Sequence, residues 1–360
     1  MSDLVAGIIA CSDSLALAKT VSSVSGHVSK VLISFPPWAP ESTLTQGLSS
    51  LEIYESGGIS AVPWEGNFSD TRNSFASSKH CDADSWVLNL DPGDSVASQD
   101  LRLLTRSLDA FASQDLLAIE AEARRYSAPA DDRPGGLPGQ APCTGAYPGY
   151  ESGSSSYTPT RVLCVHRCCS GASWVGAIHE SLVVQQQPVK RVQWLVVHKS
   201  QVEGGLPDEH YERLLDDRVL SMPDDPSSWL YLGVYQLSKG MRAEAISSLH
   251  KSIATGKVPA SCMALAKALM SSDEYQQAEP LLSEYLRSYP EDSSAWMALL
   301  VCSLKRDNFD GMDYYLGRAL KTRSLHKQEL ARFALYAARK MNYETKVSLY
   351  GKILKSLPVN

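Results

Sequence analysis

Between residues 1 and 126, short apolar runs rich in β-branched side chains alternate with stretches where apolar positions recur at helical spacing. The runs fall at 5–10, 31–34, 59–63, 85–90 and 116–121, and the helical stretches at 15–23, 70–79 and 101–111. Continuous apolar runs mark strands covered on both faces, so the alternation predicts an α/β domain with a mostly parallel sheet under helices. Residues 127–160 break the pattern. They hold most of the local Pro, Gly and Ser and almost no aliphatic side chain, which predicts a long mobile loop inserted into the sheet domain. Apolar runs resume at 161–165 and 192–198, which carries the α/β domain to residue 203.

From residue 204 to residue 360 the pattern becomes that of amphipathic helices, and it repeats. Ala245, Ala278 and Met312 share one repeat position, at spacings of 33 and 34 residues. With units beginning after Asp225, Val258 and Asp292, the fourth position is Trp229, Cys262 and Trp296. The seventh is Leu232, Leu265 and Leu299, and the twenty-fourth Leu249, Leu282 and Leu316. Gly233, Ala266 and Leu300 stand where paired helices approach closely, and Pro290 ends a unit. This is the tetratricopeptide period, and it predicts an all-α stack of antiparallel helix pairs, capped by a further irregular pair at 328–356. The Trp and Leu residues of the repeats are expected in its core.

The chain of 360 residues, with a net charge of −6, 44% apolar and 21% charged residues, is long enough for about two domains. The acidic balance argues against a nucleic-acid partner, since phosphate contacts come from Lys and Arg clusters. The nearest basic groupings, Lys190 with Arg191 and the run 321–327, read as solvated faces. No apolar run has the length of a membrane span and the N-terminus lacks a signal-peptide pattern, so a cytoplasmic protein is expected. Eight cysteines without a CxxC pair suggest neither a zinc ribbon nor a disulfide framework.

Chemistry concentrates between residues 64 and 94. Asp91 and Asp94 follow an apolar strand directly, at the edge where α/β folds bind ligands, and carboxylates there suit a hard divalent cation. Taken alone, Asp-Pro-Gly-Asp after a strand is more often a plain turn.

Trp64, Phe68, Ser69, Arg72 and Asn73, followed by the strand Trp86, Val87, Leu88, Asn89, Leu90 and then Asp91, resemble a block of the family 2 glycosyltransferases. The likeness is specifically to the subgroup with tetratricopeptide repeats after the catalytic domain. Downstream, Arg161 with Arg167, then Gly176 with His179 and Glu180, then His198, stand in that subgroup's order ahead of the repeats. The resemblance implies a GT-A (Rossmann-like) fold that moves a sugar from a nucleotide diphosphate donor, a UDP-sugar first among candidates, to an acceptor hydroxyl. It further implies inversion and assistance by Mn²⁺ or Mg²⁺.

The roles it implies place Ala10, Cys11, Arg72 and Asp91 at the donor and Asp91, Asp94 and His179 at the metal. Glu180 would be the catalytic base that takes the acceptor proton. The acidic rim after Leu90 is expected to face His179 and Glu180 across a cleft. The repeats would engage an acceptor protein or glycan, or another partner, on their concave face.

Two departures support an alternative. Residues 34–40 lack the carboxylate that meets the base in many members, although Phe35 or Trp38 offers a ring to stack on it. Gly93 takes the third position of the Asp-x-Asp motif, and its acid falls one residue later, at Asp94. The alternative is a catalytically inactive, glycosyltransferase-like scaffold that binds proteins through its repeats.

Overall fold

The computed structural model describes residues 2–39, 58–77, 79, 81–126, 141–142, 156–168, 171–184, 189–199, 206–256, 258–322 and 327–357. The chain divides into two compact units, Met1–Ser221 and Met222–Asn360.

The first unit is a mixed α/β sheet. In chain order its elements are β1 (Leu4–Ile9), α1 (Ser14–Val24), β2 (Lys30–Ser34), β3 (Ile59–Val62), α2 (Phe68–Phe75), β4 (Trp86–Leu90), β5 (Ser95–Val96) and α3 (Ser98–Ala112). There follow β6 (Ala118–Tyr126), β7 (Ala141–Pro142), β8 (Ser156–Arg167), β9 (Ala172–Val175), β10 (Ser181–Val184), β11 (Val189–Lys199) and α4 (Asp208–Ser221). The main sheet runs β3-β2-β1-β4-β8-β6-β11-β5, with β7 paired on β8, and β9 and β10 form a separate hairpin. Strands β3, β2, β1 and β4 are mutually parallel; β8 runs against both of its neighbours β4 and β6.

Every residue of β1 and β4 is buried, as a parallel strand covered on both faces requires. Strand alternation then sorts the core. Leu4, Ala6 and Ile8 pack with Leu17 and Val21 of α1 and with Leu101, Leu104 and Leu108 of α3. Val5 and Ile9 pack on the other face with Val62, Val87 and Phe75 of α2. A Cβ on Gly7 would lie 2.5 Å from the Phe75 ring, so only glycine lets α2 come this close to the sheet.

Three sequence expectations are modified. Helix α2 stops at Phe75 rather than at residue 79, where Ala76 N–H turns back to the Asn73 carbonyl at 3.2 Å. Residues 156–160, expected in the loop, extend β8 along β6, with Thr160 opposite Ala123 and Tyr157 opposite Tyr126. Their ladder is made by backbone groups, which a count of Pro and Gly overlooks. The rest of the predicted mobile segment, 127–140 and 143–155, lies outside the described residues. Third, α4 packs with the sheet unit, so the division falls after Ser221 and not at 203.

The second unit comprises, among the described residues, eight helices: α5 (Pro226–Ser238), α6 (Arg242–Thr255), α7 (Pro259–Met270), α8 (Tyr275–Ser288), α9 (Ser293–Lys305), α10 (Phe309–Leu320), α11 (Lys327–Lys340) and α12 (Glu344–Ser356). Ala245, Ala278 and Met312 are wholly buried, as are Leu249 and Leu282. Equivalent residues also bond equivalently. Asp225 and Asp292 cap α5 and α9, and Trp229 and Trp296 each donate Nε1–H, at 2.8 Å, to the carbonyl of Pro223 and Pro290. No described helix is long and apolar enough to cross a membrane.

Candidate functional site

Strand β1 has β2 on one side and β4 on the other, so chain order reverses between β1 and β4. Open α/β sheets bind ligands at such a point, beyond the carboxyl ends of the strands. Ala10 and Cys11 leave β1 there and Asp91 leaves β4. Ala10 is buried and donates its N–H to the Ser34 carbonyl at 2.8 Å. Cys11 is half-buried, and that burial raises its thiol pKa above the ordinary value.

Asp91, Pro92, Gly93 and Asp94 form a tight turn. Asp94 N–H closes on the Asp91 carbonyl at 3.0 Å, with Gly93 at φ +88°. Asp94 Oδ2 in turn accepts the Asp91 N–H at 3.0 Å. Helix α1 supports the turn: Gly93 N–H reaches the Ala16 carbonyl, and the Thr20 hydroxyl reaches that of Asp91. The segment is thus both the turn its composition predicts and a rim that presents a carboxylate, since the Asp91 side chain stays 54% exposed.

Arg72 joins this rim to the distant Glu180. Its Nη2 donates to Asp91 Oδ1 and its Nε to Glu180 Oε1, each at 2.6 Å. Its guanidinium also lies 5.1 Å from the centre of the Trp174 ring. Burial opposes the charge on Arg72, but Glu180 and then Asp91 outweigh it and hold its pKa above the usual range. Nη1 is buried and has no hydrogen-bond partner among the described residues. Asp91 and Glu180 therefore do not face each other across an open gap as expected: one guanidinium bridges them.

The residues around Arg72 explain its block. Asn67 caps α2 by accepting the Asp70 N–H, and Ser69 donates to the same Asn67 oxygen. Trp64 meets Phe68 edge-on at 5.3 Å, and Trp38 meets Trp64 at 5.2 Å and His210 at 4.9 Å. Trp38, a candidate to stack on a base, thus packs edge-on or tilted against protein rings.

Glu180 ends the loop of the β9–β10 hairpin, a motif that the sequence pattern did not disclose. Gly176 there has φ +93°, and a Cβ on it would lie 1.9 Å from Arg218 Nη1. Arg218, from α4, needs that space to donate to the carbonyls of Ile178 and His179 at 2.7 and 3.0 Å. Phe68 N–H pins the loop from the other side through the Ala177 carbonyl, at 3.0 Å. His179, at φ +51°, directs Nε2 to the Tyr211 hydroxyl at 2.8 Å. Burial, with Arg218 nearby, lowers the pKa of His179.

Lys199 is the residue that sequence reasoning missed. Its Nζ donates to Asp91 Oδ2 and Asp94 Oδ2, both at 3.0 Å. The one available signal was alternation at the end of β11: His198 faces away from whatever Lys199 faces. His198 indeed lines a separate cleft of about 540 Å³ with Lys19, His27 and Ser98. Around Lys199, burial opposes the charge of Asp91, yet Lys199 and Arg72 outweigh it and keep its pKa well below the ordinary value. Burial and then Asp91 push Asp94 up to about 6. Lys199 itself is raised, because Asp91 and Asp94 outweigh its burial.

This donor set does not fit a divalent cation. An ammonium already lies between Asp91 and Asp94, and His179 Nε2 is engaged with Tyr211. Among the described residues no group of three or more His, Cys, Asp or Glu is placed to hold a metal ion.

Residues 263–311 match the tetratricopeptide repeat family. No curated protein matches the chain. Similar solved structures include a MamA RS-1 ArsTM double mutant, 14% identical, covering 42% of this chain and 84% of its own with a TM-score of 0.36. A crystal structure of MamA is 16% identical, covering 40% and 84% with a TM-score of 0.36. MamA 41-end from Desulfovibrio magneticus RS-1 is 16% identical, covering 41% and 84% with a TM-score of 0.35. Likeness this loose establishes no shared role.

Proposed function

We propose that the sheet unit is a glycosyltransferase of GT-A type that moves a sugar from a nucleotide diphosphate donor to an acceptor hydroxyl. The single observation that carries this reading is the bridge from Asp91 through Arg72 to Glu180, built at the strand-order reversal from the residues that carry the family resemblance. In this reading the donor lies over the ends of β1 and β4, by Ala10 and Cys11, with its diphosphate toward Arg72 and Asp91. The acceptor oxygen attacks the anomeric carbon, and the bond from that carbon to the diphosphate breaks. The diphosphate leaves with the electron pair, and the acceptor proton passes to Glu180. Arg72 orients Glu180 through Oε1, which assigns proton transfer to Oε2. The repeats bind the acceptor or a partner protein.

The test is release of nucleoside diphosphate from a panel of nucleotide sugars, UDP-sugars first, with acceptor proteins or glycans supplied. Turnover with one donor, lost in Glu180→Gln while donor binding persists, supports the reading; unchanged turnover in that variant rejects Glu180 as the base.

The occupied acid pair favours one second reading, an inactive glycosyltransferase-like scaffold whose repeats bind proteins. Absence of binding to every donor and diphosphate would select it.

A further inference from the structure

The geometry points to Lys199 as the resident cation of the Asp91–Asp94 pair, one that excludes a divalent metal and takes the diphosphate of a donor directly. The second half of this statement rests on the transferase reading; the first does not.

The Lys199 ammonium has three N–H donors in tetrahedral arrangement. Two are committed at 3.0 Å to Asp91 Oδ2 and Asp94 Oδ2. Asp91 Oδ1 is held by Arg72, so Asp91 has no oxygen free of a cation to offer a hard dication. A dication there would meet the ammonium at contact distance and be repelled by it. Lysine and metal therefore exclude one another.

Lys199 itself offsets one of the pair's two negative charges, while Arg72 is shared between Asp91 and Glu180. One donor remains for an incoming phosphate, the third N–H of Lys199, whose side chain is 21% exposed. Lys199 is held by Asp91 and Asp94, so this donor is positioned before any ligand arrives.

The experiment is a titration of Mn²⁺, read by loss of its free-ion resonance signal, on the full chain and on Lys199→Met, Lys199→Arg and Lys199→Met/Asp94→Asn. Expected is no binding by the native chain or Lys199→Arg. Affinity at least about tenfold tighter should appear in Lys199→Met and vanish in the double variant. Should Lys199→Met fail to fold, Lys199→Gln, which keeps a neutral hydrogen-bonding group, replaces it. Tight Mn²⁺ binding by the native chain, or none in the neutral variant, overturns the assignment.

Nucleoside diphosphates are then titrated into the native chain with chelator and with Mn²⁺. Equal affinity is expected, and a requirement for Mn²⁺ overturns direct diphosphate contact. If none binds under either condition, the transferase reading falls, while the Mn²⁺ comparison still decides the role of Lys199.

Discussion

Asn73 and Trp174 exchange a reciprocal pair of hydrogen bonds. Asn73 Nδ2 donates to the Trp174 carbonyl at 2.9 Å, and Trp174 N–H donates to Asn73 Oδ1 at 2.8 Å. A side-chain amide thus completes one rung for strand β9 and fastens the Glu180 hairpin to helix α2, one residue from Arg72. Asn73→Ala leaves two backbone groups without these partners and should cost about 1–3 kcal/mol of unfolding free energy in urea titrations. Asn73→Asp keeps the acceptor and loses the donor, so it should recover part of that loss.

Gly176→Ala should be the more damaging of two matched glycine substitutions. Gly176 and Gly66 share positive φ, +93° and +89°, so both pay backbone strain of about 1 kcal/mol when alanine is introduced. Only at Gly176 does the new methyl meet an obstacle, Arg218 Nη1, whereas nothing lies within 4 Å at Gly66. Melting temperatures of the two variants should differ accordingly, and equal losses would show that Arg218 yields freely.

Acid should destabilise the sheet unit through two buried histidines. Trp174 Nε1–H donates to His166 Nε2, so that nitrogen must be unprotonated. Burial lowers His166 from 6.5 to about 4, and burial with Arg124 and Lys19 lowers His198 to about 4 as well. As pH falls below about 6.5 the unfolded chain takes up protons that the folded chain refuses until about 4. The contribution of the two histidines is therefore full above about 6.5, declines across that window and levels off below it, opposed below about 6 by Asp94, which the folded chain protonates first. Each histidine contributes on the order of 2–3 kcal/mol. Urea titrations across the window should show the decline, and His166→Gln should flatten it, leaving the part due to His198.

Leu282→Ala should lower the stability of the helical unit by about 2–5 kcal/mol. Leu282 is wholly buried among Ala278, Leu286 and their neighbours in the repeat core. Exposed Leu220→Ala, at 79% exposure in α4, should change melting little.

The outcome at particular residues shows where reading the chain succeeds. Strands at Leu4–Ile9 and Trp86–Leu90 and the paired helices of the repeats follow from periodicity, because burial on a regular element repeats with the element. At 156–160 composition predicts a loop where the chain pairs as a strand, because composition describes side chains while a strand is held by its backbone ladder. Helix α4 looked like the start of the repeats, yet Arg218 and Tyr211 hold the Glu180 loop. Nothing in the local pattern of α4 reveals which neighbour its buried face will find.

By itself the chain determined the order of strands β1, β2, β3, β4, β6, β8 and β11 and of helices α1 to α3, the 33- and 34-residue spacing of its repeats and the turn that Pro92 and Gly93 impose between Asp91 and Asp94. These are short-range properties, set by side-chain alternation, helical pitch and allowed backbone angles. Folding alone decided that Arg72 would span Asp91 and Glu180 and that Lys199 would settle between two aspartates. Arg72 and Glu180 are 108 residues apart, as are Asp91 and Lys199. Charges attract whichever partner the fold brings near, so an ion pair across that distance leaves no periodic mark in the sequence.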